Sequence, residues 1–352
     1  MLEDAHSDEH CRELAHAHSG AEGPPHMKSI IALLIVLPLT LLAQPRSRFV
    51  QQDDVIRVET TLVTVPVTVK TRGGAHIPNL EAKDFRIFED NVQQEISQFD
   101  TVDKPFTVIL MLDVSDSTTA ELREIQDAAL GFIDELHADD RAIIVGFDKR
   151  IVRMNEPTSD RQLLLKAVRN VKTGGGTALY DAFTTVIDGE LGRIPGRKAI
   201  VVLTDGIDTS SIHSTSESTR DIAAEQHALI YPIQYNSVKD LTAKHATDNR
   251  FPPVTYTTPS GEPLDKAYER GTRYLQSLAQ STGGRFHFAA NVKNLKRAFA
   301  LIAQELRQQY SLSYYPKNQA MKSGKRRIKV EVNVPDAVVQ ARQSYLYKPR
   351  SR

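Results

Sequence analysis

Apolar and polar residues alternate from Val55 to Val69 (VIRVETTLVTVPVTV), with Val and Thr dominant. That period of two marks a strand with one buried face. Thr71-Arg72-Gly73-Gly74 reads as a turn, and 84–90 (DFRIFED) and 93–99 (QQEISQF) as two short strands. From Lys104 the pattern changes. Continuous apolar runs at 106–112, 141–147, 197–204 and 228–235 have the character of strands buried on both faces, with 151–154 a short edge strand and 285–289 a further strand. Between them lie helical periods: Leu122, Ile125, Ala129, Phe132, Ile133 and Leu136 on one face, then 160–171 capped near Ser159, 178–191, 216–227, 266–281 and 291–309. A polar loop with Pro252-Pro253, Pro259 and Gly261 spans about 239–265. After Tyr310 short β-like segments return, at 310–316, 326–334 and 338–347.

Strands alternating with helices predict a doubly wound, mostly parallel α/β sheet covered on both faces. The β-rich flanks, 50–102 and 309–348, are expected to pair into one β-sandwich with the α/β block, 103–308, inserted between them. Two independent β appendages are the alternative.

The N-terminal region stands apart. Residues 1–26 are acidic and His-rich; then Met27-Lys28 precedes a largely apolar run of fifteen residues ending at Ala43 (SIIALLIVLPLTLLA). A charge, an apolar run and a small residue form a secretory signal pattern, shorter than the roughly 20 residues of a spanning helix. The expectation is translation from Met27, with 1–26 a misassigned extension, 27–43 a cleaved signal peptide, and a secreted or periplasmic product. An uncleaved anchor behind a cytoplasmic tail is the alternative. The 44 basic and 44 acidic residues balance over the whole chain, which argues against a nucleic-acid binder. Removing 1–43 deletes six acids, two bases and the one Cys, leaving a Cys-free chain with a small positive excess. Cys-based zinc sites and disulfides are thereby excluded.

The chemistry gathers at strand ends. The first buried strand ends in Asp113-Val114-Ser115-Asp116-Ser117 and the fourth in Thr204-Asp205-Gly206; between them Thr173-Gly174-Gly175-Gly176-Thr177 leads into a helix. In a sheet of order 3-2-1-4-5-6, strands 1 and 4 are neighbours at the switch point, where ligands bind beyond the strands' carboxyl ends. Asp113 and Asp205 should therefore face one crevice, with Ser115, Ser117 and Thr177 turning hydroxyls into it. Two carboxylates and three hydroxyls form an all-oxygen set suited to Mg²⁺, Mn²⁺ or Ca²⁺. An open position on the ion would accept a carboxylate from another protein.

In this order and spacing the residues resemble the von Willebrand factor type A family, whose metal ion-dependent adhesion site reads D-x-S-x-S, a Thr in a Gly-rich loop, and a later Asp. Here these match Asp113, Ser115, Ser117, Thr177 and Asp205. The likeness covers about 103–308 and implies the Rossmann-like fold, a divalent cation, Mg²⁺ foremost, and adhesion to a protein ligand. The flanking β-rich segments look like those of a bacterial group of secreted proteins with this domain. Asp116 is a departure, since Gly is frequent between the two serines. An envelope assembly subunit using the same site, or a metal-dependent hydrolase, are the alternatives. Against the hydrolase stand the absence of a G-x-S-x-G elbow, of a third-position Asp after Asp113 and of a visible general base; no enzymatic activity is expected. GRIPGRK (192–198) lacks the spacing of a phosphate loop. The Tyr-rich stretch Tyr310, Tyr314, Tyr315, Tyr345 and Tyr347 reads as sandwich core and rim, and His287 as a packed or surface side chain. The excess of bases after 316 reads as a solvated strand face, with weak contact to anionic envelope surfaces the other possibility.

Overall fold

The computed structural model describes residues 62–101, 104–115, 118–119, 121–226, 228–235, 257–318 and 323–347. The expected leader and signal peptide, the start of the first strand, Asp116 and Ser117 lie outside these residues. Among the described residues no helix is long and apolar enough to cross a membrane.

The N-terminal flank forms β1 (Val63–Thr71), β2 (Phe85–Glu89), β3 (Val92–Gln94) and β4 (Ile96–Asp100). The α/β block follows with β5 (Phe106–Asp113), α1 (Leu122–Glu135), β6 (Arg141–Phe147), β7 (Ile151–Arg153), α2 (Arg161–Arg169), α3 (Leu179–Gly189), β8 (Arg197–Thr204), α4 (Ser216–Glu225), β9 (Leu229–Tyr235), α5 (Leu264–Thr282), β10 (His287–Ala289) and α6 (Val292–Arg307). The chain closes with β11 (Gln309–Tyr314), β12 (Gly324–Val332), β13 (Ala337–Ala341) and β14 (Ser344–Tyr347).

The six strands β5–β10 lie in the order β10-β9-β8-β5-β6-β7, which is 3-2-1-4-5-6 counted within the block. Only β7 runs antiparallel, at the edge. β5 is buried along its whole length because both of its faces carry helices. Val108, Leu110 and Leu112 point to a core shared with Ile125 and Phe132 of α1, Leu164 of α2 and Phe299 and Ile302 of α6. Ile109 and Met111 point to the opposite core, with Phe183 and Ile187 of α3 and Leu275 and Leu278 of α5. Each such side chain contributes about 1.5–3 kcal/mol of burial, and a strand with no polar face has no other stable place in the fold. α2 is capped by Asp160, whose side chain accepts from the backbone N–H groups of Gln162 and Leu163; a carboxylate satisfies two orphan donors there, one residue beyond the expected Ser159.

The other strands form two four-stranded antiparallel sheets, β13-β1-β11-β4 and β14-β12-β2-β3. Each takes strands from both sides of the α/β block. Val63, Val65, Val67 and Val69 line one face of β1 and share a core with Ile87, Leu312, Tyr310, Tyr314, Ile328 and Tyr345. At its centre the buried Glu89 accepts from Tyr314 Oη at 2.7 Å and Tyr345 Oη at 2.8 Å, and pairs with the buried Arg326.

Two segments read as single strands are each broken. The 93–99 run divides at Glu95 into β3 and β4, and the 338–347 run divides at Arg342-Gln343 into β13 and β14; in both, the halves belong to different sheets. Two sheets facing one core allow the chain to cross between them without interrupting its alternation, so periodicity alone does not mark the crossing. Arg342 is buried at the second crossing, donates from Nη1 to Gln226 O at 2.9 Å, and is pushed down to about 10 by that burial.

Candidate metal centre

The site is built at the carboxyl ends of β5 and β8, which are hydrogen-bonded neighbours. Asp113, the last residue of β5, is buried, as are Ser115, Thr177 and Asp205. Ser115 N–H donates to Asp113 Oδ1 at 3.2 Å, turning the chain back over the carboxylate. Thr204 Oγ1 donates to Asp113 Oδ2 at 2.7 Å and accepts from Gly206 N at 3.0 Å, so one hydroxyl ties the two strand ends together. Asp205 Oδ1 accepts from Ile207 N at 2.9 Å, and Asp205 O accepts from Gln234 Nε2 at 2.7 Å. Gly206 has φ +84°, a left-handed conformation that glycine adopts without cost. The α5 backbone closes on this turn at Gly271, where a Cβ would lie 2.3 Å from Gly206 O.

The glycine loop brings Thr177 to the same end of the sheet. Gly174 N donates to Val114 O at 2.8 Å, Lys149 N to Gly175 O at 3.2 Å and Ala178 N to Asp148 O at 2.9 Å. On the other side, Thr177 N donates to Thr209 Oγ1 at 2.8 Å, while Thr177 O accepts from the N–H groups of Thr209 and Ser210, both at 2.9 Å. The segment after Asp205 is pinned to α3. Burial raises the Asp181 carboxyl, but hydrogen bonds from Ile212 N–H, from Ser214 and from His213 N–H together outweigh it and hold the group below the usual carboxylate range.

Electrostatically the pocket is unusual. Burial first, and the Asp205 charge second, push Asp113 up to about 8. Two carboxylates in one dry pocket repel, and a proton or a cation relieves that repulsion. Tyr268 of α5 is pushed up to about 12 by burial and by Asp205, and its buried hydroxyl has no hydrogen-bond partner among the described residues. Thr209, Gln234, Tyr268 and Asp148 escaped the reading of the sequence, since none belongs to a spaced motif, and Thr204 was noted there only as Asp205's neighbour; placement in the fold reveals their roles. Of the predicted ligands, Asp113, Ser115, Thr177 and Asp205 occupy one end of the sheet around the β5–β8 boundary, and Ser117 is not among the described residues. Among the described residues no group of three or more His, Cys, Asp and Glu side chains could hold a metal. A cation here would depend on two carboxylates supplemented by hydroxyls, a hard-oxygen set.

The fold is therefore a doubly wound α/β domain whose switch point carries two aspartates and hydroxyl-bearing loops. Residues 108–207 match the family model of the von Willebrand factor type A domain, and the chain contains a domain of that family. An uncharacterised protein of Synechocystis is 35% identical over 106 residues, covering 29% of this chain and 25% of its own length. The chain thus matches about a quarter of that relative. Among solved structures, the conserved hypothetical protein BatB from Bacteroides thetaiotaomicron aligns with TM-score 0.43 and 17% identity, over 57% of this chain and 98% of its own. Proximal thread matrix protein 1 from the mussel byssus, solved with zinc occupying its MIDAS motif, aligns with TM-score 0.43 and 13% identity, over 61% and 48%.

Proposed function

We propose that this chain is a binding module that holds a divalent cation of the Mg²⁺ class through Asp113, Ser115, Ser117, Thr177 and Asp205, directly or through water. A cation held there would be open to a carboxylate from a partner protein. The observation that carries this reading is the pair of buried aspartates at adjacent strand ends, a costly arrangement that a bound dication turns into an attractive one. The cation supplies Lewis acidity toward the incoming carboxylate. The chain's own residues fix the donor directions: the Thr204 hydroxyl and Ser115 N–H orient Asp113, Ile207 N–H orients Asp205, and Thr209 with Ser210 holds the main chain of Thr177. The role is recognition without turnover. The signal-like segment at 27–43 supports a secreted or periplasmic setting, with the β-sandwich as the stalk that presents the module.

The test is capture of envelope proteins on the immobilised chain, with Mg²⁺ or with chelator, compared between wild type and Asp205→Ala. Retention that needs both metal and Asp205, and that free glutamate competes away, is expected. Retention indifferent to chelator and to Asp205 overturns the proposal.

A further inference from the structure

The buried carboxylate of Asp148 lies outside the ligand set, yet it meets the loop that carries one of those ligands. Asp148 follows β6 directly, at the same end of the sheet as Asp113, and is 4% exposed. Its Oδ1 accepts from Arg150 N at 2.5 Å and its Oδ2 from Arg150 Nη2 at 3.0 Å, closing the turn between β6 and β7. That closed turn directs two main-chain groups at the glycine loop: Asp148 O takes Ala178 N–H at 2.9 Å, and Lys149 N–H donates to Gly175 O at 3.2 Å. The carboxylate itself rests against the start of the loop. A Cβ on Gly174 would fall 1.7 Å from Asp148 Oδ2, so the loop backbone lies on the carboxylate and a side chain there would have to displace one or the other. The stem of Lys149 crosses the third glycine of the loop, with Cε 2.9 Å and Cγ 3.3 Å from a Cβ placed on Gly176. The two residues flanking Thr177, Gly176 and Ala178, are thus both held by this turn.

We propose that Asp148 is a positioning residue for the cation, acting through the 174–178 loop to set where the Thr177 hydroxyl sits. The inference rests on the metal reading above. Without the carboxylate, the turn at 148–150 loses its closing acceptor, and the loop loses both its support at Gly174 and the fixed acceptor for Ala178 N–H. A displacement of a fraction of an ångström at Thr177 is enough to lose a donor, because cation sites demand close geometry.

A double-mutant cycle on the full chain separates positioning from a through-space charge effect or a loss of stability. Mn²⁺ affinity is measured by isothermal titration for wild type, Asp148→Ala, Thr177→Ala and the double variant, below every variant's melting transition. Asp148→Ala is expected to weaken Mn²⁺ binding about tenfold or more, the usual effect of removing a supporting group around a metal site. In the Thr177→Ala background the same change is expected to add little. Gly174→Ala, which pushes the loop off the carboxylate from the other side, should show the same dependence on Thr177 and serves if Asp148→Ala does not fold. Losses that add fully across the cycle, or undiminished Mn²⁺ affinity in both Asp148→Ala and Gly174→Ala, overturn the Asp148 role while leaving the metal reading intact. A wild-type chain that binds no Mn²⁺ overturns the metal reading, and this role with it.

Discussion

Gly271→Ala is the sharpest mechanical probe of how the helical layer supports the Asp205 turn. The methyl group would sit 2.3 Å from Gly206 O and 2.7 Å from Gly206 C. An ordinary contact for a Cβ begins at 3.4 Å, so about 1 Å must open between α5 and the turn. Neither side yields easily. α5 is anchored by the buried Ala267, Tyr274, Leu275 and Leu278, and the turn is held by Gln234 on Asp205 O and by Thr204 on Gly206 N. Overpacking of this kind costs about 1–3 kcal/mol, here toward the upper end because both contacting groups are backbone. Alanine in mid-helix returns about 1 kcal/mol of propensity. The net expectation is a loss of about 1–2 kcal/mol, or a melting point lower by about 2–8 °C. Because the displaced turn carries Asp205, Mn²⁺ affinity should fall as well, by about tenfold. Thermal denaturation by circular dichroism and a Mn²⁺ titration read the two effects. A variant that melts at or above the wild-type temperature with unchanged affinity would refute the close approach of α5 and with it the argument for what holds Asp205.

Other perturbations test other parts of the account. Glu89→Ala strands Arg326 and the hydroxyls of Tyr314 and Tyr345 inside the sandwich; a loss of about 3–5 kcal/mol is expected in urea denaturation, and less than about 1 kcal/mol would contradict it. His287 faces Glu305, Arg285 and Lys70 and is pushed down to about 4, chiefly by burial. Its unfolded form binds the proton more tightly, so stability is complete above about pH 6.5 and falls as pH drops toward 4. Between pH 7 and 4.5 the wild type should lose about 2 kcal/mol more than His287→Leu, and equal slopes would count against this. Asp113→Asn removes one of two neighbouring buried carboxylates; the metal-free chain should melt higher, and the rise in melting temperature on adding Mg²⁺ should disappear.

The α/β block was legible because its strands are buried on both faces, as β5 shows, and uninterrupted apolar runs have few other structural uses. Strand order followed from the rule for doubly wound sheets, and with it the meeting of Asp113 and Asp205. The flanks were read less completely. Alternation identifies which residues of 93–99 and 338–347 face the core, but it is the same on either sheet, and the crossings at Glu95 and Arg342 follow from three-dimensional pairing. The supporting residues of the site were hidden for a related reason. Thr204 adjoins Asp205 but bonds to Asp113, 91 positions earlier. Asp148 meets Gly174 only because the β6–β7 turn folds beneath the glycine loop. A Gly fixed by close approach, such as Gly174 or Gly271, carries a signal in principle, but the neighbour that demands it is identified only by the packed structure.

Isothermal titration of Mg²⁺ and Mn²⁺ into the full chain at neutral pH decides whether Asp113 and Asp205 share a cation. Saturable single-site binding is expected in the wild type, and both Asp113→Ala and Asp205→Ala should abolish it. No binding heat at millimolar metal, or binding that survives both substitutions, would contradict it.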